Sequence, residues 1–185
     1  MQTLTGAGVT MAERTQVRDA EFEAYMHARQ PSLLRTAFLL TGNRHSAEDL
    51  VQTSLAKLYL AWDKVNDRGS VDGYVRRIMV NENNSLWRRG WKKREHATET
   101  LPERPVVDEY DEGDSSALWE IVQTLPRKQR AVVVLRYYEQ RTEAEVAEIL
   151  DISVGTVKSQ ASRALATLRS RTPQSLHPRN SEEER

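Results

Sequence analysis

Between about residues 96 and 116 the chain has little with which to bury a core. Pro102 and Pro105 interrupt regular backbone pairing, and Glu103, Asp108, Glu109, Asp111, Glu112 and Asp114 are opposed by Arg104 alone. Carboxylates at this density repel one another and stay hydrated. The segment is therefore expected to be a flexible acidic linker, and the chain to fold as two small units, 19–95 and 117–172. On both sides the apolar residues recur at helical spacing, which predicts an all-α protein. Residues 1–18 and 173–185 lack that periodicity and are expected to be a flexible lead and a disordered tail. At 185 residues the chain is long enough for two such domains.

In the upstream unit, three to four helices are expected. From Asp19 to Leu40 the apolar set is Phe22, Tyr25, Met26, Leu33, Leu34, Ala37 and Phe38. Pro31 removes an internal hydrogen bond and is expected to kink or divide this helix, and Gly42-Asn43 closes it. A second helix, opened by Ser46 and running to about Asp63, buries Ala47, Leu50, Val51, Leu55, Leu58 and Trp62, with Glu48, Asp49 and Gln52 facing outward beside that stripe. A third runs from near Ser70 to at least Arg89. Its core arc holds Tyr74, Val75, Ile78, Met79 and Leu86, interrupted by Glu82 and Ser85.

The opposite arc of that third helix carries Arg76, Arg77, Val80, Asn83, Asn84 and Trp87, and Trp91 if the helix continues through Gly90. A compact basic run, Arg88, Arg89, Lys92, Lys93 and Arg94, accompanies it. Exposed tryptophans among cations and amides need a cover, and unstacked bases supply one: ring faces stack on bases while cations hold phosphates. This points to strand-separated DNA rather than intact duplex. The competing reading packs Trp87 and Trp91 against the first helix or the linker.

Downstream, Leu118, Ile121, Val122 and Leu125 predict a short helix, and Pro126 precedes another containing Ala131, Val132, Val134, Leu135 and Tyr138. Val132-Val133-Val134 also fits a strand, but no partner strand is evident and helix is preferred. Then Thr142 to Arg171 reads as a helix-turn-helix. Thr142 and Glu145 have the spacing of a capping box, and the first helix ends near Leu150. After Asp151-Ile152-Ser153, with Ser153 as N-cap, a second helix places Val154, Val157, Ala161, Ala164, Leu165 and Leu168 on one stripe. Lys158, Ser159, Ser162 and Arg163 fall on the opposite arc, where short hydroxyl side chains permit close approach to a major groove and the cations reach guanine edges or phosphates. An ordinary solvated helix face is the alternative for this segment alone.

Several function classes are excluded. With no cysteine, disulfides and thiolate metal sites are impossible, and His27, His45, His96 and His177 lack metal-ligand spacing. Neither a nucleophile elbow nor a phosphate loop occurs, so no enzyme, cofactor or metal is expected. Glu48, Asp49 and His45 sit together at one helix start, where carboxylates favour the helix dipole. No apolar run approaches the roughly twenty residues that span a bilayer, and a cytoplasmic protein without membrane insertion is expected. The formal charge of zero conceals the separation between the basic run and the acidic linker.

These motifs resemble the sigma factors of bacterial RNA polymerase, specifically the extracytoplasmic-function group and its actinobacterial SigE-like members. Ala47 to Trp62, AEDLVQTSLAKLYLAW, resembles the polymerase-binding helix; Gly73 to Lys93, GYVRRIMVNENNSLWRRGWKK, resembles the promoter-melting helix; Leu125 to Leu165 resembles the domain that reads the minus-thirty-five element. The resemblance implies a protein that binds core polymerase through its beta-prime clamp helices and beta flap, directs it to promoter DNA, and is held by an anti-sigma protein. It implies polymerase contacts from Glu48, Asp49, Leu50, Gln52 and Leu55, and minus-ten contacts from Arg76, Arg77, Asn81, Asn84, Trp87, Arg88, Trp91 and Lys92. Thr156, Lys158, Ser159, Ser162 and Arg163 are implied to face the minus-thirty-five element, Thr156 at a phosphate. Asp151 stands where many relatives have glycine, Gln160 and Ala161 replace an arginine and a larger apolar residue, and Thr53 replaces a frequent acidic one. A conventional helix-turn-helix regulator accounts for Thr142 to Arg171 but leaves the Asp49 helix and the Trp87 face unused.

Overall fold

The computed structural model describes residues 10–66, 71–95 and 120–171, and of Asn66, Trp87 and 89–95 the backbone alone. The expected linker and C-terminal tail lie outside the described residues, as do residues 1–9. Among those described there are helices and turns and no strand. Three long helices, α1 (Met11–Thr41), α2 (Arg44–Asn66) and α3 (Val71–Glu95), form the upstream unit. The downstream unit begins with helical residues 120–123. It continues through α4 (Arg127–Val133), which runs into a π-helical turn (Val134–Tyr138), then α5 (Glu143–Leu150) and α6 (Val154–Arg171).

Capping chemistry explains several boundaries. Helix α1 starts at Met11 rather than Asp19, because Thr10 and Glu13 form a capping box: the Glu13 amide donates to the Thr10 hydroxyl at 3.2 Å, and the Thr10 amide donates to the Glu13 carboxylate at 2.7 Å. Residues 11–18 are thus helical, not part of a flexible lead. Arg18 is tied down as well, donating to the Tyr59 carbonyl at 2.8 Å with its guanidinium 4.3 Å from the Tyr59 ring centre.

Pro31 does not divide α1. It lies on the exposed side, where the freed carbonyl one turn earlier is open to water, while Phe22, Tyr25 and Met26 before it and Leu33, Ala37 and Leu40 after it belong to one packed core. Gly42 then ends the helix in the left-handed conformation (φ 78°), its amide bonded to the Phe38 carbonyl. Asn43, not Ser46, caps α2, its side-chain oxygen accepting from the Ser46 amide at 2.9 Å. Glu82, which interrupts the core arc of α3, is paired with Lys57 of α2.

The largest departure from expectation is between the units. They are packed together, and the apolar core is continuous from Leu33, Leu50 and Met79 in the first to Leu135, Val146 and Val157 in the second. Helix α5 lies on α3, and α1 touches both α4 and the π-helical turn. Around this apolar seam, polar side chains of one unit bond to the other. The Arg130 guanidinium donates to the Leu40 carbonyl at 3.1 Å, the Gln123 amide to the Leu39 carbonyl at 3.1 Å, and Arg127 to the Asn83 carbonyl at 2.8 Å. Gly42 is buried against the end of the Gln123 side chain, which would have to shift to admit a Cβ there.

In α5 the expected box forms: the Glu145 amide donates to the Thr142 hydroxyl at 3.2 Å and the Thr142 amide donates back at 2.8 Å. Hydrogen bonds from the Thr142 amide and hydroxyl, and from Arg141, hold the Glu145 carboxyl down at about 2. In the unfolded chain it titrates near 4.3. A pKa lowered by folding stabilises the fold above the unfolded value, and that contribution is lost as the pH falls toward about 2. Glu145→Gln is therefore expected to melt below the parent at about pH 5, with the gap closing on acidification, as read by circular dichroism.

Candidate nucleic-acid interface

The helix-turn-helix is built as the sequence pattern requires. Val146, Ala147 and Ile149 of α5 and Val157, Ala161 and Ala164 of α6 are buried. Between the helices Asp151 takes the left-handed conformation (φ 54°, ψ 50°), with amide–carbonyl bonds from Asp151 and Ile152 back to the last turn of α5. Ser153 opens α6 as expected, its hydroxyl accepting from the Thr156 amide at 3.1 Å. Val154, expected on the buried stripe, is 39% exposed because it sits in the first turn, ahead of the point where α6 meets α5.

On the outer side of α6, Lys158, Ser159, Ser162 and Arg163 are all exposed. The Lys158 ammonium lies 3.7 Å from the Glu143 carboxylate, a surface pair that leaves it 64% exposed and free to exchange partners. Thr156 is half-buried, its hydroxyl 2.8 Å from that of Ser153. The four exposed residues form one cationic, hydroxyl-rich strip.

The face of α3 opposite the first core is different from its sequence reading. Arg76, Val80 and Asn83, expected to be exposed, are buried: α5 packs on α3, Glu139 from the turn before α5 meets Arg76, and the Leu40 carbonyl and Arg127 of α4 meet Asn83. Arg76 donates from Nε to the Glu139 carboxylate at 2.5 Å and from its terminal nitrogen to the Asp72 carbonyl at 2.8 Å; the Arg76 and Glu139 side chains are each 6% exposed. Glu139 also accepts a hydrogen bond from the buried Thr36 hydroxyl of α1. The half-buried Arg77 donates to the Glu148 carbonyl and, at 3.4 Å, to the Ile149 carbonyl. Beyond this cover Asn81 and Arg88 are exposed and Asn84 is half-buried. The side chains of Trp87, Trp91 and Lys92 lie outside the described residues.

Glu139 escapes a reading of the sequence. It directly follows the π-helical turn, a motif with no sequence signature of its own, and it pairs with an arginine 63 positions earlier. The bridging roles of Gln123, Arg127 and Arg130 are hidden for the same reason.

A second surface lies on the far side of the first unit. Phe22, Met26 and Leu34 of α1 and Val51, Leu55, Ala56 and Tyr59 of α2 line an open groove of about 550 Å³, with Gln30, Glu48 and Gln52 at its edges. Asp49 and Gln52 are exposed, Glu48 is half-buried, and Leu55 is buried in the groove wall. Leu50 is fully buried (0%) in the core, so it positions α2 rather than offering a contact. His45 and Arg44 reach Asp49 and Glu48 at 3.6 and 3.0 Å along the helix.

Comparison with known proteins gives this arrangement its class. Residues 18–93 match Sigma-70 region 2 and residues 115–168 match Sigma-70, region 4. The RNA polymerase sigma-E factor of Streptomyces coelicolor is 44% identical over 150 residues, covering 80% of this chain and 84% of its own length; that of Streptomyces antibioticus is 43% identical, covering 80% and 83%. The fold is similar to that of the sigma factor RpoE in complex with the anti-sigma factor NepR from Bartonella quintana (24% identity, TM-score 0.68, 81% of this chain and 95% of that one). It is also similar to that of CnrH in complex with the cytosolic domain of CnrY (19% identity, TM-score 0.62, 84% and 92%). A region 2 bundle followed by a region 4 helix-turn-helix defines a sigma factor, and the chain belongs to that family. Within it, the chain is an extracytoplasmic-function sigma factor of the SigE-like kind.

Asp151 occupies a conformation that costs most residues with a side chain about 1–2 kcal/mol, less for aspartate. Asp151→Ala is expected to destabilise the protein by about 1 kcal/mol while Asp151→Gly is neutral or stabilising. Urea denaturation of the two variants checks this.

Proposed function

We propose that this sigma factor binds core RNA polymerase and directs it to promoters, reading the minus-thirty-five element as duplex through α6 and the minus-ten element during strand opening through α3. The observation that carries the reading is the strip of Lys158, Ser159, Ser162 and Arg163, exposed together on the outer face of a helix-turn-helix that follows a region 2 bundle. Short hydroxyls let the α6 backbone enter a major groove, and Arg163 reaches a guanine edge in bidentate fashion. Thr156, at the start of α6, serves a phosphate.

On α2, Asp49 and Gln52, with Glu48 beside them, form a polar edge to the apolar groove, a composition suited to the beta-prime clamp helices. Leu50 and Leu55 hold that edge in place. On α3, Asn81, Asn84 and Arg88, with Trp87, Trp91 and Lys92, hold extruded bases of the non-template strand by stacking and phosphate contacts that offset the few kcal/mol lost in unstacking. Arg76 and Arg77 join them once uncovered. The protein makes and breaks no bonds. Among the described residues no helix is long and apolar enough to cross a membrane, which accords with a cytoplasmic partner of polymerase. Two proteins of similar fold were solved with the anti-sigma factor NepR and with CnrY, and an anti-sigma protein is proposed here as well.

Asp49→Ala with Gln52→Ala is expected to weaken binding to core polymerase at least tenfold with no change in melting temperature, measured by fluorescence anisotropy; unchanged affinity removes the assignment of this edge. For Arg163→Ala, a loss of about 1–3 kcal/mol confined to one upstream base pair is expected in a competition assay over promoter variants. An equal loss on every sequence marks Arg163 as a phosphate contact instead. A conventional regulator is distinguished by reconstituted transcription: it neither co-elutes with core polymerase nor supports promoter-specific initiation.

A further inference from the structure

We propose that the reading surface of α6 begins in its first turn: Val154 meets the 5-methyl group of a thymine in the major groove, and Gly155 leaves the backbone bare so that the helix comes that close. This deepens, and rests on, the reading of α6 as the helix that holds duplex DNA. The fold itself gives no reason for a glycine at position 155. Its φ is not positive, it is exposed, and a Cβ built there would meet nothing nearer than the Ser153 hydroxyl at 3.8 Å. Glycine is a poorer helix former than alanine, so a position with room for a methyl group that lacks one gives up helix stability. The open space faces outward. Three, four and seven residues further on stand Lys158, Ser159 and Ser162 of the exposed strip.

Val154 supplies the contact. It is the one large apolar side chain of α5 and α6 that is left exposed, and it stands one turn before Lys158, on the flank of the strip. The hydroxyls nearest to it are bonded within the helix. That of Ser153 accepts from the Thr156 amide at 3.1 Å and lies 2.8 Å from the Thr156 hydroxyl, while Ser159 donates to the Thr156 carbonyl at 3.0 Å. What the first turn offers a base edge is therefore an apolar group on bare backbone.

Of the four bases only thymine presents a methyl group in the major groove, so an apolar side chain at this place selects it. Recognition helices enter the groove with their N-terminal residues at the base edges, which puts Val154 and Gly155 nearer the bases than residues at the far end of α6. Covering one methyl group removes a small apolar area from water and changes affinity a few-fold. The same valine set against a deoxyribose would act on every sequence alike.

Duplexes enriched from a randomised pool by the full-length chain assembled with core polymerase serve as the probe. Each thymine of the enriched element is replaced singly by uracil, which keeps the pairing and removes only the methyl group. One such replacement is expected to weaken binding about threefold for the parent and for Arg163→Ala, and to have no effect for Val154→Ala. Gly155→Ala is expected to keep or raise the melting temperature while binding the enriched duplex about tenfold less tightly, because its methyl group takes the room that the groove needs. A parent insensitive to every uracil, an enriched element without thymine, or a Val154→Ala variant that keeps the sensitivity overturns the methyl contact. Val154→Ala weakening all duplexes equally also overturns it and marks a sugar contact. A Gly155→Ala variant with a lowered melting temperature assigns the glycine to the fold, and one that binds as the parent does excludes the close approach; either result overturns the role of Gly155. If no sequence is enriched, the reading of α6 fails and the proposal with it. An enriched element indifferent to uracil leaves that reading standing and removes the methyl contact alone.

Discussion

Helix α3 is packed on two sides, and the architecture depends on that. Val75 and Met79 anchor it against α2, while Val80, Arg76 and Asn83 lie under the second unit. A helix that carries arginine and asparagine can be buried this way only if each polar group is met. Arg76 is met by Glu139 and Asp72, and Asn83 by the Leu40 carbonyl at 3.5 Å, with Arg127 donating to its own carbonyl.

The same chemistry recurs around the seam. Leu39 and Leu40 are in the last turn of α1, and Glu148 and Ile149 in the last turn of α5, where carbonyls run out of regular helical donors; the Glu148 carbonyl also accepts from the Asp151 amide at 3.4 Å. Gln123 and Arg130 of the second unit cap the first pair, and Arg77 of the first unit caps the second pair. Burial pushes the Arg130 pKa down, and the acceptors around it, the carbonyls of Leu40, Gln123 and Leu125 and the Gln123 side chain, offset that cost. Each unit therefore completes the helix ends of the other. Polar groups of this kind can bond to water as well as to protein, which distinguishes the rim of the seam from the apolar core beneath it.

Much of this was legible from local patterns. The Thr142 capping box, the turn at Asp151, Ser153 as the cap of α6 and the outer strip from Lys158 to Arg163 all depend on residues within a few positions of one another. The Asp49 edge of α2 was legible for the same reason. Asn43 rather than Ser46 capping α2 is a local choice between two competent residues, settled by a turn closed at Gly42. The Thr10 box is hidden from a periodicity reading because residues 11–18 have weak apolar periodicity despite a sound helix start. Periodicity reported the first side of α3 and missed the second, since Arg76, Asn83 and Asn84 look equally suited to water, to DNA or to a polar seam.

By itself the sequence determined an all-α chain, two helical units, a helix-turn-helix with an exposed cationic outer strip and an acidic, proline-containing segment between the units, because helix periodicity, caps and turns are set by neighbours in the chain. Only the tertiary structure decided that the units close on each other, that Glu139 reaches Arg76, and which part of α3 stays accessible. The physical reason is that an arginine's hydration or pairing depends on an acceptor brought from far along the chain, and no local rule specifies which acceptor arrives.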